Sequence, residues 1–228
     1  MSERLQKFIA RSSQYSRRRA EELMKSGVVK VNGQVIRQLG TSVNPEEDVV
    51  EVLGKRVNPE TRIRYIVVHK PRGYVCTRAR HAKEKTVYDL VPNSRDLVIA
   101  GRLDKESEGL VLLTNDGALV QQLTHPSYQH EKEYEVVTAQ RITDAHIAKL
   151  LRGVPLKEGL AKADKVQRIS EKKIRLVLHQ GWKRQIRRMC EVIGLSVLRL
   201  KRIRMGSLKL DTLELGASRG VKRDDFLS

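Results

Sequence analysis

The stretch GRLDKESEGLVLLTNDG, Gly101 to Gly117, sets one carboxylate, Asp104, between Arg102 and Lys105, just ahead of an apolar run, Leu110 to Leu113. Neighbouring cations favour the ionised carboxylate and keep it available as a nucleophile or a base. The same residues would also make a salt bridge in a surface loop, because structural ion pairs perturb carboxylates too. A strand over Leu97–Ala100 would put GRLD in the loop at its mouth. On these residues alone, both readings stand.

Three further stretches bear on chemistry. In HEKEYEVV, alternation puts Lys132, Tyr134 and Val136 on one strand face, where a tyrosine either stacks on a base or simply packs. In GWKRQIRRMCEVIG, Ile186, Met189, Cys190 and Ile193 recur at helical spacing and form one buried stripe. Arg187 borders that stripe and is placed to point into a cleft. Lys183, Arg184 and Arg188 fall elsewhere and suit phosphate contacts or a solvated face. KPRGYVCT, Lys70 to Thr77, needs a tight turn at Pro71 and Gly73 and by itself signals structure. No Walker-type phosphate loop, HExxH or GxSxG occurs, and the six histidines do not cluster at metal-ligand spacing.

The elements that must position these residues follow from periodicity. Leu5, Phe8 and Ile9 predict a first helix. Ser16 predicts the cap of a second, running through Arg17, Arg18 and Arg19 and ending at Gly27. Asn32-Gly33 inside VVKVNGQVI is a strong hairpin signal, since both turn residues must accept positive φ. A strand over Asp48–Leu53 follows, and Gly54–Arg62 reads as a linker. Further strands are expected at Tyr65–Val68, Leu110–Leu113, Glu133–Val137, Lys173–Leu178, Val197–Ile203 and Leu208–Leu215. Helices are expected at Gly117–Leu123, Thr143–Leu151 and Arg184–Ile193. Strands outnumber helices without alternating regularly with them. The expected class is therefore α+β: a small helix–hairpin unit over residues 1–60 and a larger domain over 61–228 with a mixed, largely antiparallel sheet.

Charge narrows the partners. The chain holds 45 Lys+Arg against 27 Asp+Glu, a formal net charge of +18. That balance attracts a polyanion, and nucleic acid is the commonest one. Residues 1–30 hold eight Lys/Arg and three Glu, and residues 180–204 hold eight Lys/Arg and one Glu, so two basic surfaces are expected. No apolar run approaches the ~18 residues of a spanning helix, and MSERLQKFIA lacks the apolar region of a secretory signal, so a cytoplasmic protein without membrane contact is expected. Two cysteines, Cys76 and Cys190, fit buried free thiols better than a disulfide framework or a zinc site.

Together these stretches resemble the RsuA-like family of ribosomal RNA pseudouridine synthases. GRLDKESEGLVLLTNDG resembles the family's central motif, which puts the catalytic aspartate at Asp104 and its preceding arginine at Arg102. KPRGYVCT resembles the first conserved turn. EKEYEV resembles the Lys-x-Tyr motif and puts the active-site tyrosine at Tyr134. GWKRQIRRM resembles the third motif, in which the basic residue that pairs with the aspartate falls on Arg187; Trp182 departs from the smaller or basic residue expected there. LKRIRMGSLKL resembles the closing motif. Residues 1–60 are similar to a small RNA-binding module shared with a small-subunit ribosomal protein, an S-four-like module.

The resemblance implies isomerisation of uridine to pseudouridine in ribosomal RNA or pre-ribosomal particles, by a monomer, with no cofactor and no metal. It implies RNA contacts from Arg4, Lys7, Arg17, Arg18 and Arg19 in the module and from Lys132, Lys183, Arg184 and Arg188 in the larger domain. The short tail after Gly216 implies no further RNA-binding extension. A non-catalytic RNA-binding or assembly factor would share the basic surfaces, and a DNA-binding regulator would leave residues 62–228 without a role. Only the enzyme needs Asp104, Tyr134 and Arg187 to converge.

Overall fold

The computed structural model describes residues 2–13, 15–58, 63–79, 84–125 and 130–226. They divide into two compact units, Met1–Ile63 with Asn93–Leu97, and Arg64–Pro92 with Val98–Ser228.

In the first unit, α1 (Leu5–Ser12) and α2 (Arg17–Lys25) turn Leu5, Phe8, Ile9, Ala20, Leu23 and Met24 inward against Val29, Val43, Val50 and Val52. Ser16 caps α2 by accepting from the Arg19 amide at 3.2 Å, which satisfies one of the amides a helix start leaves open. Short strands β1 (Glu3–Arg4) and β4 (Ser42–Val43) pair with each other. The strands β2 (Val29–Val31), β3 (Gln34–Val35), β5 (Val50–Val52) and β6 (Lys55–Val57) form a sheet in the order β3-β2-β5-β6. Asn32 and Gly33 turn the first hairpin with φ of 51° and 82°. The Asn32 side chain braces it, accepting from the Val49 amide and donating to Asp48.

The linker expected at Gly54–Arg62 is corrected over its first part. Lys55–Val57 pairs antiparallel with β5 through a two-residue turn at Leu53 and Gly54, whose φ values are 53° and 73°. Leu53 is an unfavourable turn residue, and its positive φ is what hid this hairpin. Residues 59–62 lie outside the described residues.

The second unit is built on a nine-stranded sheet. Its strands are β7 (Tyr65–Lys70), β8 (Val98–Ala100), β9 (Glu108–Thr114), β10 (Lys132–Thr138), β13 (Lys165–Ser170), β14 (Lys173–Leu178), β15 (Val197–Met205), β16 (Leu208–Lys209) and β17 (Ser218–Gly220). The order is β13-β14-β10-β15-β9-β7-β17, with β16 paired to β15 and β8 to β9. Among the described residues one contact is parallel, β15 on β9; the rest are antiparallel, as an α+β sheet should be. A separate hairpin joins β11 (Val154–Leu156) to β12 (Gly159–Ala161).

Two cores flank the parallel seam. On one side α4 (Asp144–Arg152) and α5 (Gln185–Val192) bury Leu150, Ile186, Met189 and Cys190 against Val136, Ile174, Leu176 and Leu200. On the other, α3 (Gly117–Thr124) buries Leu119 and Leu123 with Tyr65, Val67, Leu110, Leu112, Met205 and Phe226. Each fully buried aliphatic side chain is worth about 1.5–3 kcal/mol, so both cores hold the seam firmly.

Other expectations are adjusted. The strand expected over Leu208–Leu215 stops at Lys209, because Asp211 takes φ 50° and the Leu213 carbonyl turns to the buried His69 ring at 2.7 Å. The hairpin β11–β12 and the strands β13 and β17 went unseen; β13 reads KVQRIS, an exposed edge strand with little apolar alternation. Helix α5 starts one residue late because Arg184 sits at φ 52°, ψ 30°. Of the two thiols, Cys190 is buried, and burial pushes it up to about 12. Cys76 is half-buried rather than buried. No helix among the described residues is long and apolar enough to cross a membrane.

Candidate active site

Asp104 lies in the loop between β8 and β9, the two strands of one hairpin. The backbone of that loop is tied from several directions. The Gly73 amide of the KPRGY turn donates to the Lys105 carbonyl at 2.8 Å. The Ser107 amide closes the loop on the Asp104 carbonyl at 3.0 Å. The Leu103 amide points to Cys76 Sγ at 3.4 Å. Arg187 Nη2 donates to the Glu106 carbonyl at 2.8 Å and its Nη1 to the Val197 carbonyl at 3.1 Å. The Arg202 guanidinium reaches the Gly101 carbonyl at 3.0 Å. Side chains add Lys105 to Glu84 at 2.9 Å and Arg72 to Glu106 at 3.3 Å.

In that framework the Asp104 carboxylate, half-buried, has no hydrogen bond or ion pair among the described residues. A fixed backbone carrying an unengaged carboxylate is preorganised for a ligand, which gains the interaction without first breaking another. The salt-bridge reading of GRLD therefore does not hold. Lys105 turns to Glu84, and the Arg102 side chain is exposed with no protein partner among the described residues.

The pairing expected between Arg187 and Asp104 is also corrected. Each terminal nitrogen of Arg187 donates to a carbonyl, and no hydrogen bond or ion pair to Asp104 is made among the described residues. The two charges still feel each other: desolvation and the nearby Arg184 lower the Arg187 guanidinium, while Asp104 opposes that shift. A planar fork matched to two carbonyls on different segments explains the geometry, for one contact is on the Asp104 loop and the other at the start of β15. Tyr134 sits half-buried on β10, against the core beneath α5. Its cross-strand neighbours are Leu176 and Arg202. It thus lies one strand from the residue that holds the stem of the loop.

Two buried cations were not singled out from the sequence. Lys70, 0% exposed, donates to the carbonyls of Pro71 at 2.9 Å and Tyr74 at 2.7 Å, fixing the turn whose Gly73 holds the loop. Burial drives its ammonium down to about 8, offset in part by Cys76, Asp104, Glu106 and Glu108. The other is Arg202, 1% exposed. Its signal was present: in LRLKRIRM it shares strand parity with the buried Leu200, a charge on an apolar face.

The other expected RNA contacts divide by environment. Arg17, Arg18, Lys183 and Arg184 are exposed, with no side-chain partner among the described residues. Arg19 pairs with Glu22 at 2.7 Å, Lys7 stands 4.0 Å from Glu3, and Arg4 donates to the Gly40 carbonyl. Lys132 is half-buried, donates to the His130 carbonyl at 3.1 Å, and is lowered by burial and then by Arg202. Arg188 is held by both oxygens of Glu158 at 2.8 and 3.0 Å. Trp182 packs on the core under α5, and its amide donates to the Gln185 side chain at 3.1 Å.

The chain that carries this loop is similar to known proteins over nearly its whole length. Residues 64–192 match the family model described as RNA pseudouridylate synthase, and residues 3–50 match the S4 domain. The ribosomal large subunit pseudouridine synthase B of Bacillus subtilis (strain 168) is 40% identical over 224 residues, 95% of this chain and 91% of that protein. The dual-specificity RNA pseudouridine synthase RluF of Escherichia coli O157:H7 is 37% identical over 229 residues, 99% of this chain and 78% of its own length. A solved structure described as a pseudouridylate synthase superposes with a TM-score of 0.71 at 29% identity, covering 98% of both chains. With the matched model spanning the hairpin, the Asp104 loop, β10 and α5, the chain belongs to the RNA pseudouridylate synthase family, whose catalytic fold it carries behind an S4 domain.

Proposed function

We propose that this protein isomerises uridine to pseudouridine in ribosomal RNA, with Asp104 as the catalytic carboxylate. The ribosomal substrate is supported by the name of the Bacillus subtilis relative, and residues 1–60 act as the RNA-binding module while 61–228 carry the chemistry. The reaction is redox-neutral: the bond from C1′ of ribose to N1 of uracil breaks, the base turns, and C1′ bonds C5. The hydrogen leaving C5 is balanced by one gained at N1, so no atom is added or lost and no cofactor is required.

The family resemblance suggests a division of labour, and the geometry supports it. The target base must leave its stack, at a cost of a few kcal/mol, to reach a carboxylate held in a loop. Asp104 meets the sugar or the base as nucleophile or proton acceptor. Tyr134 offers its ring to the flipped uracil. Arg187 fixes the loop through Glu106 and supplies positive charge beside Asp104. Arg102, exposed two residues before the carboxylate, takes the RNA backbone or the gap that the flipped base leaves. Arg4, Lys7, Arg17, Arg18, Arg19, Lys132, Lys183 and Arg184 add contacts to phosphate, while Arg188, held by Glu158, adds little. The enzyme works as a monomer in the cytoplasm, where ribosomal RNA and pre-ribosomal particles are met.

The observation that carries this reading is the unengaged Asp104 carboxylate on a backbone tied from both sides of its loop. Asp104→Asn keeps the volume and removes the charge. It should abolish tritium release from RNA labelled at uracil C5 while RNA affinity stays within about threefold. Turnover near wild type in that variant would sink the assignment and favour a non-catalytic RNA-binding role.

A further inference from the structure

Two strands share one edge of β9, and they leave a gap. β15 runs parallel to it for two pairs, Lys201 with Glu108 and Arg202 with Gly109. β8 joins antiparallel farther along, from Ala100 opposite Leu112 to Val98 opposite Thr114. Leu110 falls in the fork between them. Buried carbonyls at such a fork lack a ladder partner, which costs about 1–3 kcal/mol each when unmet.

The Arg202 side chain fills the fork. Its Nε donates to the Leu110 carbonyl at 2.8 Å, its Nη2 to the Gly101 carbonyl at 3.0 Å and its Nη1 to the Arg102 carbonyl at 3.5 Å. Gly109 permits the approach: its φ is 113°, and a Cβ there would lie 2.2 Å from the Arg202 carbonyl oxygen. One planar guanidinium thus joins the stem that enters the Asp104 loop, at Gly101 and Arg102, to the strand that leaves it, at Leu110. A lysine, with a single point charge, would not span three carbonyls.

Its neighbour gives the contrast. Arg204, two residues along β15, is paired with Glu131 at 2.8 Å and Glu133 at 2.9 Å. Arg202 has no ion pair among the described residues, so its buried charge is met by carbonyl dipoles alone. Burying an unpaired cation is costly, and a neutral residue would suffice to fill space. What the guanidinium adds is the fixed separation of the loop's two stems.

We propose that Arg202 is a positioning residue for Asp104, setting where the carboxylate stands by clamping both ends of its loop. This rests on the reading of Asp104 as the catalytic carboxylate, and the experiment separates the two. Three variants, Arg202→Met, Arg202→Lys and Arg204→Met, are compared with Asp104→Asn for single-turnover rate at saturating RNA, RNA affinity, and the rate at which Cys76 reacts with a thiol reagent. Cys76, the more exposed thiol, reports on the loop because the Leu103 amide points to its sulfur.

Arg202→Met should lose about 100-fold in single-turnover rate, the scale of a displacement near 1 Å at a reacting group. Its RNA affinity should stay within about threefold, and Cys76 should react faster. Arg202→Lys, the milder change should the methionine variant not fold, should fall nearer to Met than to wild type in both rate and thiol reactivity. Arg204→Met should keep its rate within a few-fold and leave Cys76 unchanged. A soluble Arg202 variant with near-wild-type rate, or with unaltered Cys76 reactivity, overturns the clamp. Normal turnover in Asp104→Asn, with Cys76 loosened in Arg202→Met, overturns the catalytic assignment and leaves the clamp standing.

Discussion

Helices α2 and α5 are both arginine-rich, and the structure treats their arginines in opposite ways. On α2, Arg17 and Arg18 are exposed without partners among the described residues, and Arg19 makes only an exposed contact with Glu22. On α5, Arg187 donates to the carbonyls of Glu106 and Val197, and Arg188 to Glu158. Free cations give a long-range, salt-sensitive attraction. Tied cations give position. The same residue type thus stands free in one unit and tied in the other, and the difference lies in whether carbonyls and carboxylates stand within reach.

The strongest test of that contrast is Arg187→Ala. It removes the tie between α5, the Glu106 carbonyl and the start of β15. Single-turnover rate at saturating RNA should fall by roughly 100-fold or more, while RNA affinity changes by less than about fivefold. A loss confined to affinity would put Arg187 in the same class as the α2 arginines.

Lys70 extends the contrast to a tied cation that pays for burial. Its folded-state pKa is lowered to about 8 from an ordinary value of 10.5, so between these values the unfolded chain binds more protons. Stability then rises with pH across that window, and the charging penalty is fully present below it. Relative to Lys70→Met, wild type should gain on the order of 2–3 kcal/mol in denaturant unfolding between pH 7 and 10.5. A flat difference across that range would show that the ammonium is not desolvated as its burial implies.

Neutralising Arg17, Arg18 and Arg19 together should act on the other side. Affinity for RNA should drop about tenfold or more at low salt, and the slope of log affinity against log salt should become shallower by about 2. The maximal rate should hold. An unchanged slope would mean that these arginines face away from RNA.

The smallest effect is expected at Arg188. Its bidentate contact with Glu158 bridges α5 to the β11–β12 turn, and the side chain already has its partner. Arg188→Ala should change rate and affinity by no more than about threefold. If it cost more than Arg187→Ala, the face of α5 turned to the site would be misassigned.

Local signals were legible where a residue's preference and its neighbours agreed. Ser16 caps α2, Asn32-Gly33 turns its hairpin, and Ile186, Met189, Cys190 and Ile193 form the buried stripe of α5. They failed where tertiary context overrode preference. Leu53 is forced into a turn conformation that leucine rarely takes. The edge strand β13 is held by its partner β14 rather than by an apolar pattern of its own.

For the site, the residue types and their order in the chain were enough to point to a carboxylate in a basic loop, a strand tyrosine and a basic helix. Which cation serves which group was decided only in three dimensions. Arg187 reaches Glu106 across 81 positions, Arg202 reaches Gly101 across 101, and Arg188 finds Glu158 across 30. Nothing local distinguishes an arginine that will meet a carbonyl from one that will meet RNA. That choice depends on which backbone groups the sheet leaves unpaired. Those groups exist only once β15 has docked parallel to β9 and opened the fork beside β8.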